Sequence, residues 1–65
     1  MKRVQKKSLK ELRARFDETQ EETAEALGVS PQTYNAWERN PGMIKLGNLK
    51  KIQQHFSVSL DEIRL

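Results

Sequence analysis

Residues 20–39, QEETAEALGVSPQTYNAWER, decide the fold. Ala24 stands four residues before Gly28, and Leu27, Val29, Tyr34 and Trp37 fall where two crossing helices need apolar contacts. The first of these helices is expected over about residues 20–27. Gly28 ends it with a residue able to take φ > 0. Ser30 then reads as the N-cap of a second helix, and Pro31 occupies its first position, where the missing N–H costs nothing. This second helix is expected to run over about residues 31–39, because Asn40-Pro41-Gly42 is a strong turn.

Working outward, helix starts are well marked. Ser8 with Glu11, Thr19 with Glu22, and Ser59 with Glu62 all have the spacing of a capping box. A helix over about residues 9–16 places Leu9, Leu12 and Phe16 on one stripe, and one over about 46–56 does the same for Leu49, Ile52 and Phe56. Val58, Leu60 and Ile63 predict a short final helix. Neither strand-like alternation nor a repeat occurs. The expected architecture is an all-α compact bundle of five short helices. Its core is Leu12, Phe16, Ala24, Leu27, Val29, Tyr34, Trp37, Ile44, Leu49, Ile52, Phe56, Val58 and Ile63. So few apolar residues predict a stability near the bottom of the usual range of about 5–15 kcal/mol.

Sixty-five residues make one small domain. The absence of cysteine excludes a disulfide framework, a thiolate metal site and a thiol nucleophile. No apolar run approaches membrane-spanning length and no signal-peptide pattern follows the basic N-terminus, so a cytoplasmic location without membrane contact is expected. The net charge of +3 is unevenly spread. Residues 1–15 hold Lys2, Arg3, Lys6, Lys7, Lys10, Arg13 and Arg15 against Glu11, and the middle is acidic. Residues 1–7 read as a basic arm ahead of a domain over 8–65. Such an arm suits a polyanion; a solubilising tail is the plainer alternative.

The whole pattern resembles the phage repressor, Cro and xenobiotic-response-element-type family of helix-turn-helix proteins. The resemblance covers Leu9 to Ile63, and the matching residues are Thr19-Gln20-Glu21-Glu22, Ala24, Leu27-Gly28-Val29-Ser30, Gln32-Thr33, Trp37-Glu38 and Val58-Ser59-Leu60-Asp61-Glu62. Three positions depart from the family pattern. Thr23 replaces a leucine, Glu18 an apolar residue and Ser57 a glycine. The resemblance implies a lambda-repressor-like fold and a transcriptional regulator that reads a double-stranded DNA operator through its third helix. It also implies repression by covering that operator.

About 100° separates successive helical residues, so Tyr34 and Trp37 define the buried side of the third helix. Gln32, Ala36 and Arg39 then lie opposite, flanked by Asn35 and Thr33. Amides can pair with an adenine edge, arginine with guanine, and methyl groups with thymine. The family's base-reading positions correspond to Pro31, Gln32, Thr33 and Ala36. The candidate base contacts are therefore Gln32, Thr33, Asn35, Ala36 and Arg39; an ordinary solvated helix face is the alternative. For the DNA backbone, Gln20 matches a phosphate-contacting position of the family. Asn40, Lys45 and Asn48 lie in or after the loop that follows the third helix, where capping and solvation are the alternative.

Family resemblance also pairs Arg13 with Glu38 as a structural ion pair that orients the third helix. Candidate dimer contacts, again by resemblance, are Leu60, Glu62 and Leu65; the alternative is that Leu60 and Leu65 only complete the core or fray at the terminus. One recognition helix reads few base pairs, so a weak homodimer, or a dimer formed on an inverted repeat, is expected. His55, the one histidine, reads as neither a metal ligand nor a general base, since no carboxylate or cysteine cluster surrounds it in sequence. No catalytic motif or cofactor site is apparent, and the expectation is a non-enzyme without cofactors. The competing class is an antitoxin or adaptor that keeps the fold but binds protein. Its discriminating sign is indifference of DNA binding to changes at Gln32 and Lys45.

Overall fold

The structure, a computed structural model, describes residues 5–65. Among them are four α-helices: α1 (Leu9–Arg15), α2 (Gln20–Leu27), α3 (Pro31–Arg39) and α4 (Leu46–Phe56). Single 3-10 turns occupy Pro41–Met43 and Leu60–Glu62. The expected fifth helix is thus only this last turn. Its capping box at Ser59 and Glu62 forms, but the chain returns to extended geometry at Ile63 and goes no further as a helix. The all-helical class holds, with four α-helices in place of five.

The local signals act as their chemistry requires. Ser8 and Thr19 each close a full capping box, with Glu11 and Glu22. Ser30 Oγ accepts from the Thr33 N–H at 3.1 Å, with Pro31 as the first helical residue. Gly28 ends α2 in the left-handed region at φ 74°. α4 starts at Lys45 with no side-chain cap.

α2 packs on both α3 and α4, while α1 crosses α3. The core gathers Leu9 and Leu12 from α1, Ala24 and Leu27 from α2, Tyr34 and Trp37 from α3, and Leu49, Ile52 and Phe56 from α4, with Ile44 and Ile63. Val29 and Val58 pack against it half-buried. Two residues differ from expectation. Leu9 is a full core member, and Phe16 is 45% exposed. α1 ends at Arg15, and Asp17 takes φ 55°, so the chain turns before the helical stripe can carry Phe16 inward. Phe16 instead lies over His55, ring centroids 6.2 Å apart, and against Phe56 at 5.5 Å.

Lys7 meets the segment after the last 3-10 turn. The Lys7 N–H donates to the Glu62 carbonyl at 2.8 Å, and the Arg64 N–H to the Lys7 carbonyl at 2.9 Å. This is an isolated parallel bridge between Lys7 and Ile63. Of the basic arm expected over residues 1–7, residues 1–4 lie outside the described residues, and Lys7 is held by the C-terminal segment. No helix among the described residues is long and apolar enough to cross a membrane.

Ser57 ends α4 at φ 54°, ψ 48°, a left-handed conformation in which a Cβ is strained. Ser57 is exposed, so its replacement removes no packing. Ser57→Gly is expected to stabilise the domain by about 0.5–1 kcal/mol, relief of strain outweighing the added freedom of the unfolded chain. Thermal denaturation of the two proteins checks the sign; an unchanged or lower midpoint would mean the strain is negligible.

Candidate nucleic-acid interface

α3 is a short polar helix anchored from beneath by two aromatic rings. Tyr34 and Trp37 are buried and meet edge to face, with ring centroids 6.3 Å apart. Their positions turn Gln32, Thr33 and Arg39 fully outward, with Asn35 and Ala36 half-buried beside them. All five expected base-contacting residues therefore share the outer side of α3. Their chemistry is not equally available. The Thr33 hydroxyl accepts from the Ser30 hydroxyl at 2.9 Å and belongs to the helix cap. Gln32 and Arg39 make no side-chain hydrogen bond among the described residues.

The start of α2 stands beside the start of α3. Gln20, Glu21, Pro31, Gln32 and Asn35 line a shallow cleft between them. Beneath it runs a chain of polar contacts. Arg13 Nε donates to Glu38 Oε2 at 2.7 Å, and its Nη1 to the Glu18 carbonyl at 2.9 Å. Gln20 Nε2 donates to Glu38 Oε1 at 2.9 Å and, over a long 3.5 Å, to Asn35 Oδ1. Arg13 and Glu38 are thus joined across 25 positions of sequence, on side chains only 16% and 7% exposed. Burial works against the Glu38 charge, but hydrogen bonds from Arg13 and Gln20 hold its carboxyl below the ordinary carboxylate value. The Tyr34 hydroxyl nearby is raised, by burial first and then by the Glu38 carboxylate.

The Gln20 amide N–H groups point into the protein. Asn40 and Lys45 are exposed after α3, and Asn48 is half-buried. The Asn48 backbone N–H already donates to the Lys45 carbonyl at 3.0 Å, which leaves its side chain for any partner. At the chain's end, Leu60 and Leu65 are exposed, 41% and 54%, while the Glu62 carboxylate is engaged in the Ser59 capping box.

One cluster was not legible in the sequence. His55 Nε2 lies 2.8 Å from Glu18 Oε1, which also accepts from the Thr23 hydroxyl at 2.6 Å. His55 therefore has one carboxylate partner, which its sequence neighbours do not reveal. Thr23 is completely buried. The two positions that depart from the family's apolar pattern, Glu18 and Thr23, satisfy each other. Burial opposes the Glu18 charge, but hydrogen bonds from His55 and Thr23 leave its carboxyl below its ordinary value. No group of three or more His, Cys, Asp or Glu able to hold a metal occurs among the described residues.

Comparison with known proteins agrees with this geometry. A family model described as "Helix-turn-helix" matches residues 9–63. The chain is 40% identical over 55 residues to the HTH-type transcriptional activator BcrR of Enterococcus faecalis, an alignment covering 85% of this chain and 27% of that protein. It therefore spans about a quarter of the length of the curated relative it matches. No solved structure matches.

Proposed function

Because this chain belongs to the xenobiotic-response-element-type helix-turn-helix family, we propose that it regulates transcription by seating α3 in the major groove of a double-stranded DNA operator. The observation that carries this reading is the division of α3. Its inner side is fixed by buried Tyr34 and Trp37, and its outer side presents exposed Gln32, Thr33 and Arg39. A helix so anchored can offer polar groups to base edges without refolding. Helix-start N–H groups of α2, with Asn40, Lys45 and Asn48 beyond α3, serve the phosphates and set the register.

Two copies bind the half-sites of an inverted repeat and pair weakly through Leu60 and Leu65, which are exposed at the end of the chain. A Cro-like domain represses by covering its operator. The named relative is an activator, so reporter plasmids with the operator across or upstream of a promoter distinguish the two directions.

The test begins with selection of bound duplexes from a random pool, followed by titrations on the selected operator and on unrelated DNA. Gln32→Ala is expected to lose about 1–3 kcal/mol on the operator and little on unrelated DNA; Lys45→Ala is expected to weaken both alike. If neither change matters, α3 is not the reading surface, and binding of another protein becomes the better account.

A further inference from the structure

The polar chain beneath α3 has a direction, and that direction reaches the DNA-facing side. The Glu38 carboxylate only accepts hydrogen bonds, and Arg13 Nε fixes it at 2.7 Å. Gln20 must therefore turn its amine, not its carbonyl, toward Glu38, and does so at 2.9 Å. The same nitrogen lies 3.5 Å from Asn35 Oδ1, a long hydrogen bond for which it has a second N–H available. Asn35 lies half-buried in the cleft between the starts of α2 and α3. With its carbonyl oxygen turned inward to Gln20, its amine is left to face outward.

We propose that Asn35 is a specificity-determining residue whose amide polarity is preset by Glu38 acting through Gln20, so that it offers only donors to the major groove. This rests on the DNA-reading function proposed above. An unrestrained asparagine can pair with adenine, accepting from N6 while donating to N7. Asn35 held in this way lacks the outward acceptor and favours guanine, whose N7 and O6 both accept. Gln20 and Glu38 are positioning residues in this scheme: they set the readout without touching the base.

The experiment selects bound duplexes from a random pool with the unaltered chain and with Asn35→Ala, Asn35→Asp and Gln20→Ala. Base preferences are normalised to each protein's own best site. The unaltered chain is expected to prefer guanine over adenine by about tenfold at one position of each half-site, a discrimination typical of a direct base contact. Asn35→Ala is expected to abolish that preference alone. Asn35→Asp, which presents only acceptors, is expected to replace guanine there with cytosine, whose N4 donates. Gln20→Ala keeps the Arg13–Glu38 pair but frees the Asn35 amide, and is expected to admit adenine to within about twofold of guanine. A merely structural Asn35 would weaken binding uniformly and move no single base.

If the unaltered chain enriches an operator but all variants keep its base preferences, the Asn35 proposal is overturned and the DNA-reading function stands. Loss of the guanine preference in Asn35→Ala, with no change in Gln20→Ala, overturns the preset polarity. If the unaltered chain enriches nothing, both readings fail.

Discussion

Replacing Arg13 with methionine is expected to cost about 3–5 kcal/mol, most of the stability of a domain this small. The cost comes less from losing an attraction than from what is left behind. The Glu38 side chain is 7% exposed, so without Arg13 a charged carboxylate stays buried with only the Gln20 amide in hydrogen-bond contact. The Glu18 carbonyl also loses its partner in Arg13 Nη1. Removing both charges together, in Arg13→Met with Glu38→Leu, is expected to recover much of the loss, since apolar replacement of a buried pair is often close to neutral. Urea denaturation of the four proteins of this cycle measures the coupling. A loss below about 1 kcal/mol for Arg13→Met would class the contact with ordinary surface ion pairs and remove its role in orienting α3.

The same cycle has a pH signature. The Glu38 and Glu18 carboxyls are both held below the ordinary value of 4.5. Groups with depressed folded-state pKa values contribute stability that is fully present above the unfolded value and is lost as pH falls through the folded one. Stability is therefore expected to fall on acidification below about pH 4.5. In the doubly substituted protein that slope is expected to shrink to what Glu18 and the Ser8-capped Glu11, whose carboxyl is also held low, still contribute.

How much of this was legible in the sequence depends on the range of the signal. Helix starts are written in three or four consecutive residues, and the caps at Ser8, Thr19 and Ser30 form as their spacing implies. Helix ends are less legible. Phe16 keeps the helical period with Leu9 and Leu12, yet the turn at Asp17 leaves it over His55 on the surface. The Ser59 capping box likewise marks the start of a helix that has one turn. A cap satisfies the first N–H groups of a helix but says nothing about how many residues follow.

Contacts between distant residues were legible only where a family pattern supplied them. Arg13 and Glu38 are 25 positions apart and were paired by resemblance alone. Glu18, Thr23 and His55 had no such guide. Taken singly, Glu18 and Thr23 look like two lost apolar anchors. Together with His55 they form a satisfied polar group, as buried polar atoms generally require. Periodicity compares residues along one helix, whereas this cluster joins the turn after α1 to α2 and α4.

Trp37→Ala is expected to cost about 3–5 kcal/mol, the range for truncating a buried aromatic side chain. Trp37 is 5% exposed and packs edge to face on Tyr34, so its loss opens a cavity directly beneath α3. With total stability expected near the bottom of the usual range of about 5–15 kcal/mol, the variant is expected to be largely unfolded alone, with most helical circular dichroism lost at 25 °C. Operator DNA binds only the folded form and is expected to restore part of that signal, because ligand at a hundred times its Kd adds about 2.7 kcal/mol. Trp37→Phe keeps an aromatic ring and is expected to remain folded and to retain operator affinity. Opposite behaviour would be decisive. A Trp37→Ala protein as stable as the parent, yet unable to bind DNA, would place the indole against the bases and remove the buried anchor on which the orientation of α3 depends.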